Sequence, residues 1–177
     1  MSAAPRTETG PGAALAGLAA AGSAGMLSAA FAFQHLAGMV PCPMCVWQRW
    51  PHAAALALGL LLLAPALREA RALRVLGALV MAAGAGLALW HVGVEQDWWQ
   101  GPSTCALGVR SAMDVDQLLD SILQAPIVRC DEVAWRLWGV SMAGWNGLVS
   151  AGLAAVWGAA AMLRDGTGPQ GSSSASQ

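Results

Sequence analysis

Four long apolar runs constrain the fold of this chain more than any other feature. Each is close to the 20 or so residues that a helix needs to cross a hydrocarbon core of about 30 Å. Only 11% of the residues are charged, against about a quarter in a soluble domain. We therefore predict an all-α integral membrane protein, a four-helix bundle whose spans cover about 13–36, 46–66, 75–94 and 140–163.

The remaining segments are read as loops and tails. Extracytoplasmic loops are predicted at about 37–45 and 95–139, and polar, disordered tails at 1–12 and 164–177. The first apolar run is longer than the 7–15 residues of a signal peptide's apolar region, so it is predicted to stay as a membrane helix. The net charge of −1 argues against nucleic acid as a partner.

The arginines set the expected orientation. Arg68, Arg71 and Arg74 lie in the short middle connection, whereas the long third loop is rich in acidic residues. The positive-inside rule then places both termini in the cytoplasm and both extracytoplasmic loops on the other face. All four cysteines fall in or beside those loops, in a compartment where disulfides form and persist.

The cysteines admit three interpretations from their spacing. Cys42 and Cys45 form a CxxC pair, whereas 24 residues separate Cys105 from Cys130. A zinc site usually takes two close pairs, so no metal is expected. A structural disulfide framework and a redox relay both remain possible at this point.

The CxxC pair favours redox chemistry over a structural role. A disulfide across two residues closes a very small loop and stabilises the chain little. Pro41 and Pro43 disfavour helix before them, so we expect the helix to begin near Met44 or Cys45. Cys45 would then lie in the first turn, where the helix dipole stabilises a thiolate.

Arg49 and His91 are the candidate ligand-binding residues. Arg49 follows Cys45 by one helical turn, and a cation at that depth is predicted to pair with the thiolate or with a reduced acceptor. The alternative is an arginine that reaches the membrane surface. His91 lies near the extracytoplasmic end of the third run and is equally typical of an interfacial residue. His35 and His52 are weaker candidates, and a short amphipathic helix is predicted around 115–123.

These residues together resemble the disulfide bond formation protein B family. FQHLAGMVPCPMCVWQRW is similar to the family's first extracytoplasmic loop and second span, and His91 matches a histidine at the end of the third. RCDEVAWRLWGVSMAGWN resembles the segment that leads into the fourth span. One position departs: the family often has glutamate immediately before the arginine, where this chain has Gln48.

The resemblance implies a quinone-dependent oxidase of the bacterial inner membrane. A reduced DsbA-like, thioredoxin-fold periplasmic protein would attack a Cys105–Cys130 disulfide. The freed Cys130 would open Cys42–Cys45, leaving a Cys45 thiolate beside ubiquinone or menaquinone. Arg49 and His91 would polarise the carbonyl oxygen of that quinone.

Three other functions stay open at this point. A vitamin K epoxide reductase-like protein also combines a four-helix bundle with CxxC and a quinone, although its CxxC tends to lie in a later span. A partner-specific oxidase of the same family and a membrane scaffold with structural disulfides are the other two.

Overall fold

The computed structural model describes residues 10–102 and 129–163. Within them the chain forms five helices and one short hairpin. The elements are α1 (Pro11–His35), α2 (Pro43–Trp47), α3 (Arg49–Leu61), α4 (Arg71–Glu95), β1 (Arg136–Leu137), β2 (Val140–Ser141) and α5 (Met142–Met162). The predicted helix around 115–123, Cys105 and the tail 164–177 lie outside the described residues, as does all but the end of the tail 1–12.

The four long helices pack as a closed ring, which confirms the predicted four-helix bundle. α1 contacts α3, α3 contacts α4, α4 contacts α5, and α5 returns to α1. In the described part of the chain, α1 and α4 are long and apolar enough to cross a membrane. Large apolar side chains also cover the outside of the bundle; Leu79 is 62% exposed and Leu148 is 59% exposed. An apolar outer surface of this kind suits lipid rather than water.

Small residues let the helices approach closely, as the Ala- and Gly-rich runs predict. A Cβ on Gly59 of α3 would lie 2.2 Å from the Cβ of Ala20 on α1. A Cβ on Gly77 of α4 would lie 2.5 Å from the ring of Trp157 on α5, a side chain that is fully buried. The bundle core is therefore built from alanines and glycines around a few large side chains.

The second apolar run is divided into α2 and α3 at Gln48. Pro51 has no backbone N–H and so cannot donate to the carbonyl of Trp47, the last residue of α2. α2 itself begins at Pro43, slightly earlier than predicted, because proline is well tolerated at the first helical position and Cys42 caps the helix. The division leaves Gln48 between the CxxC turn and the long helix.

A tight hairpin leads into the last helix. Arg136 pairs with Ser141 and Leu137 with Val140, and the two turn residues, Trp138 and Gly139, both have positive φ. Positive φ at both central residues is typical of a type I′ hairpin turn. The Ser141 hydroxyl then accepts a hydrogen bond from the Gly144 N–H and caps α5.

Candidate functional site: a buried cysteine pair beside an apolar cavity

The CxxC pair lies at the N-terminus of α2. The Cys42 sulfur accepts a hydrogen bond from the backbone N–H of Cys45 at 3.2 Å, so Cys42 is the N-cap of the helix. The two sulfur atoms are 2.9 Å apart, and both cysteines are free thiols in this structure. Cys42 is buried and Cys45 is partly buried. The helix turn therefore holds the two thiols close enough to share a hydrogen bond.

The two thiols have opposite acidities. A hydrogen bond from the Cys45 thiol lowers the pKa of Cys42 to about 5, although burial of the sulfur works against this effect. The same hydrogen bond, and then burial, raise the pKa of Cys45. In the dithiol, the thiolate therefore forms on Cys42. This differs from the expectation that the helix end favours a thiolate on Cys45, because the Cys45 thiol and, to a smaller extent, the backbone N–H of Cys45 both donate to the Cys42 sulfur.

His91 reaches the same sulfur from α4. Its Nε2 lies 3.7 Å from Cys42 Sγ, and its ring is buried. Its Nδ1 lies 2.6 Å from the amide nitrogen of Gln48. The structure therefore brings the predicted histidine to the cysteine pair, on the side of Cys42.

A chain of buried polar groups continues from His91 into the bundle. Asn146 of α5 donates its amide N–H to the Gln48 carbonyl oxygen at 2.6 Å. The Asn146 oxygen lies 2.8 Å from His52 Nε2, and the Ser150 hydroxyl lies 3.4 Å from the same nitrogen. Gln48, Asn146 and Ser150 were not among the site residues predicted from the sequence. A polar side chain inside an apolar run was the available signal.

Arg49 contacts two residues of α1. Its guanidinium donates to the Gln34 side-chain oxygen at 2.7 Å and lies 5.0 Å from the centre of the Phe31 ring. Both contacts use features that an arginine has and a lysine lacks, a planar fork and a flat face. Among the described residues no carboxylate forms a salt bridge with Arg49.

A cavity of about 150 Å³ connects these groups. Cys45, Arg49, His91 and Glu95 supply polar atoms to its wall, and α1 supplies an apolar side. The α1 residues include Met26, Leu27, Ala30 and Phe33. An apolar cavity with a few convergent polar groups is typical of a small-molecule site.

Cys130 packs beside the CxxC pair. It is 1% exposed and belongs to one buried cluster with Cys42, Met44 and Val94. It is disulfide-bonded, so a zinc site that uses all four cysteines as thiolates does not match this structure. Cys105 lies outside the described residues, and its pairing with Cys130 stays a prediction.

The sulfur atoms of Cys42 and Cys45 and a ring nitrogen of His91 all lie within 4.8 Å of one another. The absence of a metal at these residues stays a prediction.

The fold and the site together define a membrane thiol–disulfide oxidoreductase. The bundle has an apolar surface, a capped CxxC pair lies at one end, and a disulfide-bonded cysteine packs against that pair. The family model for "Disulfide bond formation protein DsbB" matches residues 12–160 of the chain. The chain belongs to this family, and it is a membrane protein that acts in disulfide bond formation as a protein-disulfide oxidoreductase.

Individual relatives agree with the family assignment. Disulfide bond formation protein B of Marinobacter nauticus is 36% identical over 152 residues, which cover 80% of this chain and 86% of that protein. Its namesake in Aromatoleum aromaticum is 33% identical, with 76% of this chain and 82% of that protein covered. Disulfide bond formation protein B 2 of Pseudomonas syringae is 31% identical, with coverage of 77% and 81%. No solved structure gives a significant match to the chain.

Proposed function

We propose that this protein reoxidises a DsbA-like periplasmic dithiol and passes the two electrons to a quinone in the bacterial inner membrane. The observation that carries the proposal is the position of Cys42 and Cys45 beside two neighbours. Cys130 packs in one buried cluster with Cys42, and Cys42 and Cys45 both line the apolar cavity that Arg49 also lines. A relay needs both neighbours, because electrons enter through one disulfide and leave toward the membrane.

The cavity fits a quinone ring in its chemistry. The α1 wall offers apolar contact, Arg49 offers hydrogen-bond donors for a carbonyl oxygen, and His91 lines the same cavity beside Cys42. When bound, a quinone accepts two electrons and two protons and becomes a quinol. Phe31 and Gln34 fix the plane of the guanidinium, so Arg49 is oriented before any ligand arrives. Such pre-orientation reduces the entropy lost on binding.

The thiol exchange steps balance without any further oxidant. The partner's thiolate attacks the Cys105 sulfur, the Cys105–Cys130 bond breaks, and Cys130 leaves as a thiolate. Cys130 then attacks Cys42, and Cys45 leaves as a thiolate. The partner's second thiolate attacks the partner sulfur that is bonded to Cys105, so the oxidised partner departs and Cys105 becomes a thiolate. Each step replaces one S–S bond with another. Burial of Cys130 in the same cluster as Cys42 supports the second step.

The orientation in the membrane is part of the proposal. Both termini are placed in the cytoplasm and the cysteines on the periplasmic side, because Arg68, Arg71 and Arg74 cluster in the middle connection. The periplasm is also the compartment in which a disulfide donor is useful.

The test is quinone reduction by the purified protein in detergent, with a reduced DsbA-type protein as electron donor. We expect turnover with ubiquinone or menaquinone analogues, followed by quinone absorbance, and loss of turnover in Cys45→Ser and in Cys105→Ser. Absence of turnover by the parent protein with both quinone types would contradict the proposal, as would full turnover in Cys45→Ser.

A further inference from the structure

Gln48 and Asn146 are buried amides with no place in the exchange steps, yet they join the cysteine pair to the bundle core. The links run from Cys42 to His91, from His91 to Gln48, from Gln48 to Asn146, and from Asn146 to His52. All of these side chains are buried. Such networks are costly unless every member is satisfied, so their hydrogen-bond directions carry information.

The direction of the links follows from which atoms can donate. Asn146 donates to the Gln48 oxygen, so the Gln48 nitrogen is the atom that faces His91 Nδ1. An amide nitrogen only donates, and Nδ1 must therefore accept and carry no proton. The proton of a neutral His91 is then on Nε2, the nitrogen that faces the Cys42 sulfur.

His52, at the far end of this hydrogen-bond network, independently indicates the same direction of donation. The Nδ1 of His52 is buried and has no hydrogen-bond partner within the described structure. If every hydrogen bond ran in the other direction, Asn146 would donate to His52 Nε2. His52 would then carry its proton on Nδ1, as a buried donor with no acceptor. Unpaired buried N–H groups are rarer than unpaired acceptors. His52 therefore donates from Nε2 to the Asn146 oxygen, and each link points toward the sulfur.

We propose that Gln48, held in place by Asn146, is a positioning residue that fixes His91 as an Nε2–H donor to the Cys42 sulfur. The network is not a proton wire, because an amide that donates an N–H cannot pass a proton on without changing its bonding. Its effect is to keep one tautomer and one ring orientation. The functional meaning of the donor rests on the relay proposed above.

In that relay, the donor acts when Cys42 is a leaving group. The Cys105 thiolate attacks Cys130 in a Cys42–Cys130 disulfide, the Cys105–Cys130 bond forms, and the electron pair of the broken bond goes to the Cys42 sulfur. A leaving thiol of lower pKa leaves faster. An N–H aimed at Cys42 therefore speeds recovery of the disulfide that accepts the next dithiol.

Glutamate, which often precedes the arginine in the family, would act differently from Gln48 on His91. A glutamate carboxylate has no N–H to offer, so it would accept a proton from His91 Nδ1 rather than donate to it. Gln48→Glu is thus expected to move the neutral His91 proton to Nδ1, or to add one there. The chain's glutamine and its partner Asn146 are matched as an amide pair.

The first test reads the tautomer directly. The full-length reduced protein, labelled with ¹⁵N-histidine in detergent, is expected to show His91 protonated on Nε2 and bare on Nδ1. The His91 signals are identified as those lost in His91→Asn. Gln48→Glu is expected to protonate Nδ1. A parent protein with its His91 proton on Nδ1, or an unchanged spectrum in Gln48→Glu, would overturn the proposal.

The second test follows alkylation of Cys42 against pH in a Cys105→Ser/Cys130→Ser background. The titratable or charged groups near the pair lie on α2, on α3, on the end of α4 and in the segment that holds Cys130; they are Cys45, Arg49, His52, His91, Glu95, Arg129 and Glu132. Gln48→Met leaves all of them in place. The substitution is expected to raise the pH midpoint of Cys42 alkylation by about one unit. This shift corresponds to about a tenfold smaller thiolate fraction at pH values below the midpoint.

Gln34→Met is the matched control, since it makes the same change in an amide that contacts Arg49 instead of His91. Should Gln48→Met fail to fold, Asn146→Leu releases the Gln48 amide and is expected to shift the midpoint in the same direction. Equal profiles for parent, Gln48→Met and Asn146→Leu would overturn the proposal, as would an equal shift in Gln34→Met. Neither test needs quinone or a thiol donor, so its failure is separable from failure of the relay.

Discussion

The asymmetry between Cys42 and Cys45 arises from a single helix turn. The free N–H of Cys45 points at the Cys42 sulfur, and the Cys45 thiol shares a hydrogen bond with it. His91 approaches Cys42 as well. Three donors thus converge on one of two otherwise similar thiols, which is how a fold separates their acidities. The acidic thiol is the one that packs against Cys130.

Replacing Cys45 tests this asymmetry. In a Cys105→Ser/Cys130→Ser background, Cys45→Ala is expected to raise the pKa of Cys42 from about 5 toward the ordinary value, because the largest stabilising donor is lost. Cys45→Ser keeps an O–H donor and is expected to raise it less. A thiol with a lowered pKa stays reactive as the pH falls to that pKa and loses reactivity below it. The rate of iodoacetamide modification against pH measures both shifts; identical profiles for Ala and Ser would contradict this account.

Arg49 leads to a prediction about quinone affinity. Arg49→Lys keeps the charge but loses the planar fork that contacts Gln34 and Phe31. The apparent KM for a quinone analogue is expected to rise about tenfold, as for loss of one charge-assisted hydrogen bond, with a smaller change in kcat. Arg71→Lys, an exposed arginine at the start of α4, is the matched control. An unchanged KM in Arg49→Lys would place the quinone elsewhere.

At the scale of elements, close helix contacts depend on residues without side chains. Gly59 lies against Ala20, and Gly84 of α4 lies against Pro51 of α3, where a Cβ would come within 2.9 Å of the ring. These contacts bring α3 against both α1 and α4, and they hold Gln48 and Cys45 near His91. The geometry of the site thus depends on packing well below it in the bundle.

Gly59→Ala tests this packing with one added methyl group. The new Cβ would meet Ala20 at 2.2 Å, so the helices must separate, at a cost of about 1–3 kcal/mol. Gly86→Ala makes the same change on α4, where nothing lies within 4 Å. Thermal unfolding in detergent is expected to show a lower midpoint for Gly59→Ala alone. A similar loss of stability in both variants would mean that helix contact is not the cause.

The sequence predicts some elements better than others, for physical reasons. Long apolar runs specify the helices of the bundle because length and composition are local properties. The division at Gln48 follows from Pro51 and could have been predicted from its missing N–H. The hairpin before α5 has only two residues in each strand, too few for a period-2 pattern to be recognised.

Spacing within one segment was enough to propose some residues of the candidate site, but it could not reveal contacts between side chains on helices that are distant in the sequence. CxxC identifies Cys42 and Cys45 from spacing alone, and Arg49 follows from its depth in an apolar run. The amide of Asn146 meets Gln48 only because α5 packs beside α3 and α4. No spacing within one helix encodes that contact, since the two residues are 98 positions apart.

At the scale of the whole molecule, the cysteine pair and the arginine cluster lie at opposite ends of the bundle. Arg71 is the first residue of α4, while His91 and Glu95 at its other end line the cavity beside Cys45. A helix of 25 residues is about 37 Å long. This length is enough to cross a hydrocarbon core of about 30 Å. Arg71 and Cys45 are therefore expected on opposite sides of the membrane.

Labelling with a membrane-impermeant maleimide tests that orientation in cells. In spheroplasts of a Cys105→Ser/Cys130→Ser strain, a reductant opens the Cys42–Cys45 disulfide without detergent. The reduced Cys45 is then expected to react from the outside. An Arg71→Cys/Cys42→Ser/Cys45→Ser variant in the same background carries one cysteine at the other end. It is expected to react only after the membrane is permeabilised, because the positive-inside rule holds that end in the cytoplasm. Reaction of the Arg71→Cys variant in intact spheroplasts, with protection of Cys45, would reverse the proposed orientation and would remove the periplasmic dithiol as the electron source.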